Sequence, residues 1–241
     1  MAETKLNIGV ATHAHSVIDF DVHFNHCQCI QRWSKEFQVS LIGYRGLLAA
    51  DARELIMDKA IGLKCSHVFI MDADHIFHPS ALGYLLESKD EAMISGLITR
   101  RYHPFGQVAW GKNDATKEYL SVDIPLDGKI YEVGVCAFGC TLINLSRLQD
   151  LEKPWFRDRC IRNPAGKLNN VRSDVNLSNT FRANGDKVWV DTRVLVGHLG
   201  SNLFVYPQNA KDLENFRHVY EDSFKLKQGQ KGEYQLVPRI L

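Results

Sequence analysis

The sequence lacks an excess of charge of either sign. Its 29 Lys and Arg stand against 28 Asp and Glu, a net charge of +1, so global charge predicts neither a nucleic-acid coat nor a membrane-surface protein. A long apolar run is also missing: nothing approaches the roughly 18 residues needed to span a bilayer. The first residues, Met1-Ala2-Glu3-Thr4-Lys5, lack the apolar core of a signal peptide, and a cytoplasmic location is expected. The six cysteines (27, 29, 65, 136, 140 and 160) do not fall into a zinc-ribbon spacing. Without a secretory signal they read as reduced thiols, mostly in the core. Internal repeats and low-complexity tracts are absent too.

What is present is enough apolar material for one large domain: 241 residues, 45% of them hydrophobic. Strand and helix signals alternate through the first hundred residues, which implies a parallel sheet. Strands are expected over 5–11, 37–43, 67–71 and 92–99. Helices are expected over 19–35, 47–63 and 79–87, the last opening on Pro79. Residues 107–135 read as short hairpin-like strands, and 136–145 as a further apolar strand. After a helix over 175–184 come a strand at 187–191 and an apolar run at 195–199. The expectation is an α/β domain over 1–200 with a mixed sheet, followed by an extension, 201–241, holding one helix at 211–224.

The chain is organised around Cys65 to Pro79. Five mostly apolar residues, His67-Val68-Phe69-Ile70-Met71, run into Asp72-Ala73-Asp74-His75. A short apolar run bounded by polar residues reads as a buried parallel strand. Two carboxylates one residue apart at its end would stand at the carboxyl edge of the sheet, where open α/β sheets bind ligands. An isolated Asp-Xaa-Asp is just as well a solvated turn; the helix signals on both sides and the neighbouring His argue for a site. Thr12 and His13 follow the first strand at the same edge. Residues 153–172 carry Lys153, Arg157, Arg159, Arg162, Lys167 and Arg172 against Asp158 alone. With Pro164 and Gly166 among them they read as a mobile basic loop, either solvated, or closing over an anionic ligand, or meeting a polyanion.

With these residues in place the chain resembles nucleotide-sugar-dependent glycosyltransferases of the GT-A fold, close to the family-2-like enzymes of bacteria and phages. The resemblance spans about Leu6 to Gly200 and keeps the family's order: Thr12 after the first strand, Ala52-Arg53, Asp72-Ala73-Asp74, Ser95-Gly96 with Arg100, Gly134 to Gly139, Pro154-Trp155-Phe156, Ser173-Asp174, and Val190-Asp191 leading to Gly197-His198. It implies a GT-A-like (Rossmann-like) single domain with a mixed, mainly parallel sheet flanked by helices. It also implies transfer of a sugar from a nucleoside-diphosphate sugar, a UDP-sugar first among them, to a hydroxyl acceptor.

The acceptor stays open among a modified DNA base, a glycan and a protein. A divalent cation would stabilise the charge on the departing diphosphate as a Lewis acid. Oxygen ligands suit Mg²⁺ or Mn²⁺, and an imidazole favours Mn²⁺. By the resemblance Asp74 and His198 bind the metal, and Asp72 contacts the ribose or a metal-bound water. Thr12, Arg53, Asp72, Ala73, Arg100 and Gly139 lie along the donor, with Arg101 beside Arg100 as the other candidate for the phosphate or sugar. His75 and His78 support them. Asp174 matches the base that deprotonates the acceptor. Here Ser173 replaces the Glu that usually precedes it, and Ser173-Asp174 also suits a helix cap. Two other readings compete: a metal-dependent phosphohydrolase or nuclease, and a nucleotide-binding module without catalysis.

Overall fold

The structure, a computed structural model, describes residues 5–14, 17–102, 105–112, 119–162, 166, 168–200 and 204–208. In chain order the elements are β1 (Asn7–Ala14), α1 (Phe20–Glu36), β2 (Gln38–Arg45), α2 (Ala49–Gly62), β3 (His67–Asp72), β4 (His75–Ile76), α3 (Ala81–Leu86), β5 (Met93–Ile98), β6 (Ala109–Lys112), β7 (Tyr119–Ser121), β8 (Ile130–Val133), β9 (Val135–Cys136), β10 (Cys140–Asn144), α4 (Leu145–Gln149), β11 (Arg159–Arg162), β12 (Leu168–Val171), α5 (Ser173–Ala183), β13 (Val188–Leu199) and β14 (Phe204–Val205). The central sheet runs β14-β13-β5-β10-β3-β1-β2, with β4 and β8 also paired to β13. β1 is parallel to β2 and β3, and β13 to β5. β10 runs against both β3 and β5. β1, β2, β3, β5 and β13 thus point one way, with β10 reversed among them and β4, β8 and β14 running against β13, the mixed, mainly parallel sheet that the alternation predicts.

Burial explains the placement of β3. His67 to Met71 are all buried, as a strand covered on both faces requires. On one face α1 and α3 pack Cys29, Trp33, Leu82 and Leu85 against Phe69 and Met71. On the other, Ile56, Met57 and Ala60 of α2 and Leu177 and Phe181 of α5 meet Val68 and Ile70. α1 begins where the Asp19 side chain accepts from the Asp21 amide at 2.9 Å, an N-cap. α2 buries Ala52, Arg53, Ile56, Met57 and Ala60. That stripe has helical spacing but contains one arginine, which a purely structural face would not bury.

Several expected boundaries move. β1 continues through Thr12 and His13, which pair with Met71 and Asp72, so both lie on a strand and not in a loop. α3 starts at Ala81, after Pro79. The run 195–199 and the strand 187–191 form one strand, β13, with a bulge between Asp191 and Leu195. Much of the basic segment is strand and not loop: β11 and β12 pair as an antiparallel hairpin, Arg159 opposite Val171 and Arg162 opposite Leu168. Gly166, at φ 78°, lies in its turn, so this glycine marks a reversal and not the break of a strand; Pro164 lies outside the described residues. α5 starts two residues early, at Ser173 after an N-cap at Arg172. Beyond Gly200, β14 pairs with the end of β13, and the helix expected at 211–224 lies outside the described residues.

Candidate functional site

A cavity of about 510 Å³ opens at the carboxyl edge of the sheet, beside β1 and β3. β1 contributes His13 to its wall, α2 Arg53, and β3 with its following turn Asp72, Ala73 and Asp74. Arg101 comes from the segment after β5, and Asp158, Arg172, Ser173 and Asp174 from the base of the hairpin and the start of α5. Four carboxylates and three arginines thus face one space.

Asp72 is held from within the protein. Both its oxygens accept from Arg53 Nη2 at 3.2 Å, and Arg53 Nη1 donates to Ser173 Oγ at 3.2 Å. The guanidinium lies 4.7 Å from the Phe138 ring centroid. Arg53 therefore ties α2, β3 and α5 together beneath the cavity. Burial opposes the charge on Asp72, but Arg53, His75 and His13 outweigh it and hold the carboxyl below the usual range. His13 sits 3.6 Å from Asp72. Its own pKa is lowered chiefly by burial, so it presents a neutral imidazole to the cavity.

Asp74 sits in a different cluster. Its Oδ1 lies 2.8 Å from His75 Nδ1 and its Oδ2 3.3 Å from His198 Nε2. The two rings stack with centroids 4.1 Å apart, because β4 pairs with β13 and places His75 opposite His198. His198 Nδ1 donates to the Thr99 carbonyl at 2.8 Å. A carbonyl only accepts, so in the neutral ring the Nε2 lone pair faces Asp74. Burial works against the charge on Asp74, yet His198 and His75, with protons on the nitrogens that face it, outweigh it and hold its carboxyl far below the usual range.

Ligand atoms of Asp74, His75 and His198 all lie within 4.8 Å of one another. Both ring nitrogens of His75 are buried without a hydrogen-bond partner, since the short approach to Asp74 is misaligned. Buried imidazole nitrogens are rarely left unpaired, and a cation between Nδ1 and the carboxylate would satisfy the one that faces Asp74. One carboxylate with two imidazoles is a donor set that fits a divalent transition metal.

The residues expected from the sequence thus divide. Asp74 and His198 come together, His75 joins them, and Asp72 turns to Arg53. Ala73 lines the cavity. Thr12 Oγ1 is buried without a partner, and Thr12 is not among the lining residues. Arg100 is exposed, and it is Arg101 that reaches the cavity, its Nη1 2.5 Å from Asp74 Oδ2. Gly139, at φ 122°, lies behind the site: a Cβ there would come within 2.9 Å of the His75 ring. Its carbonyl accepts from the Asp72 amide at 3.2 Å. His78 accepts from the Ser80 amide at 3.2 Å through Nδ1, a local turn contact.

Asp174 lies on the first turn of α5 with Oδ1 accepting from the Val175 amide at 2.8 Å. Burial raises its pKa, against the pull of Arg53. The capping role falls to Asp158, whose Oδ1 accepts from the Ser173 amide at 2.7 Å. Asp158 had one signal in the sequence, as the lone acid in a basic run, and nothing there linked it to α5.

No family model matches the chain, and no curated protein matches it. Among solved structures it is similar to A197 from STIV, with a TM-score of 0.57 and 13% identity over 84% of this chain and 91% of that one. At that identity the likeness is one of fold. Looser likenesses are to a putative glucose-1-phosphate thymidylyltransferase from Bacillus anthracis (TM-score 0.47, 12% identity, 86% and 94% covered) and to S. aureus TarS 1-349 (TM-score 0.40, 8% identity, 83% and 60% covered).

Proposed function

We propose that this chain is a metal-dependent glycosyltransferase that moves a sugar from a nucleoside-diphosphate sugar, a UDP-sugar by preference, to a hydroxyl acceptor. The observation that carries the reading is the convergence of His75 and His198 on Asp74, which lines a 510 Å³ cavity whose other walls hold Asp174 and Arg172. Asp74, His75 and His198 would hold Mn²⁺ or Mg²⁺, which when bound neutralises charge developing on a diphosphate leaving group. His13 and the Asp72–Arg53 pair shape the wall next to that group.

Asp174 takes the acceptor's proton. In the displacement the acceptor oxygen bonds to the anomeric carbon, the bond from that carbon to the diphosphate oxygen breaks, and the hydroxyl proton passes to the Asp174 carboxylate. A carboxyl whose pKa burial has raised is a stronger base than a solvated one.

A panel of nucleotide sugars with Mn²⁺, read by chromatography of the nucleotide product, tests this directly. Release of a nucleoside diphosphate together with a glycosylated product or free sugar is expected from at least one donor. Release of a nucleoside monophosphate would instead make the chain a phosphohydrolase, and binding without turnover of any donor would make it a nucleotide-binding module.

A further inference from the structure

Asp74 already has a cation. Arg101 Nη1 lies 2.5 Å from Oδ2, the oxygen that also faces His198 Nε2 at 3.3 Å. A metal bound by Asp74, His75 and His198 would therefore place a second positive charge against the guanidinium. Among the described residues the only carboxylate paired with Arg101 is Asp74. The carboxylate nearest to Asp74 in sequence, Asp72, is occupied on both oxygens by Arg53. Arg101 is also free to leave: its side chain is 37% exposed, and its guanidinium rests 5.1 Å from the centroid of the exposed Tyr102 ring. It lines the cavity from a segment that follows the end of β5, and the ligand His198 is anchored to that segment through the Thr99 carbonyl.

We propose that Arg101 and the divalent cation compete for Asp74, so that Arg101 sets how tightly the site takes metal, and metal binding turns its guanidinium into the cavity toward an anionic ligand. In the metal-free protein the guanidinium neutralises Asp74. Once metal takes the carboxylate, a planar fork with unused N–H donors stands in the same space, the geometry that phosphate oxygens accept bidentately. This inference rests on the metal reading given above and concerns its regulation.

The test is Mn²⁺ binding to the intact protein, measured as loss of the free-ion electron paramagnetic resonance signal, for wild type, Arg101→Ala, Arg101→Lys and Arg100→Ala. Removing the competitor should tighten Mn²⁺ binding about tenfold in Arg101→Ala, with Arg101→Lys between it and wild type. Arg100→Ala removes the same unit of charge from the neighbouring exposed position and should leave the affinity near wild type. Equal tightening in Arg100→Ala would reduce the effect to net charge and overturn the competition. Unchanged or weaker binding in Arg101→Ala, with wild type binding normally, would overturn it as well. If no variant binds Mn²⁺, the metal reading itself fails.

Discussion

At the scale of single residues, the site separates two carboxylates by their surroundings. Asp74 is held ionised by two imidazoles and an arginine, whereas Asp174 is pushed toward its neutral form by burial. The second has a consequence for stability. A carboxyl whose pKa is raised on folding contributes stability that is complete below its unfolded value, 3.8, and is lost as pH rises through the folded value. Asp174→Asn removes that loss, so its Tm should exceed wild type at pH 7.5 and match it below pH 4. The same variant should turn over about 10²-fold more slowly while donor binding survives. Lower activity without the neutral-pH gain in Tm would deny the burial argument, and near-normal turnover would deny the base. Arg53, read from sequence as a donor contact, is in the structure a buried tie between Asp72 and Ser173. Its sequence signal was its place in the apolar stripe of α2.

At the scale of elements, the buried strand and its polar end were legible because both are local. β3 is a continuous apolar run, and the helices around it repeat at 3.6 residues. The role of His75 was not legible, because it depends on β4 meeting β13 more than a hundred residues later. The bulge in β13 was equally hidden, and it is built over Gly96, where a Cβ would meet the Val194 side chain at 2.7 Å and its carbonyl at 2.8 Å. Backbone on one side cannot yield as a flexible side chain would. Gly96→Ala should therefore cost about 3 kcal/mol in chemical denaturation and weaken Mn²⁺ binding by displacing His198; a cost below about 1 kcal/mol would show that the bulge tolerates the methyl. The hairpin is not legible because a Gly within a basic run reads as a breaker of one strand, whereas Gly166 lies in the reversal between two. Arg159 and Arg162 on β11 are exposed, and the base of the hairpin lines the cavity. Replacing both by Ala should weaken binding of a nucleoside diphosphate by roughly fivefold and leave no affinity for duplex DNA in either protein. Tight DNA binding by the wild type that falls steeply with salt, and vanishes in the double variant, would assign the hairpin to a nucleic-acid acceptor.

At the scale of the whole molecule, the sheet direction predicted from alternating elements is the one observed, and it brings β1, β3 and the start of α5 to one cavity. Among the described residues no helix is long and apolar enough to cross a membrane. Four of the six cysteines are buried and all six are free thiols, in keeping with the core role read from their spacing. Because Asp74, His75 and His198, the proposed metal ligands, join β13 to the turn after β3, metal should stabilise the fold as well as the reaction. Mn²⁺ at a hundred times its Kd should add about 2.7 kcal/mol, seen as a rise in Tm for wild type and none for Asp74→Ala. The central claim is that Asp74 anchors a metal without which sugar transfer from a nucleotide donor does not occur. Its most direct test is nucleoside diphosphate release from a turned-over nucleotide sugar, with wild type and Asp74→Ala side by side, each in EDTA and after readdition of Mn²⁺ or Ca²⁺. Release that stops in EDTA, returns with Mn²⁺ better than with Ca²⁺, and is missing from Asp74→Ala in every condition is the result predicted. Undiminished release by the chelated wild type, or by Asp74→Ala, would contradict it.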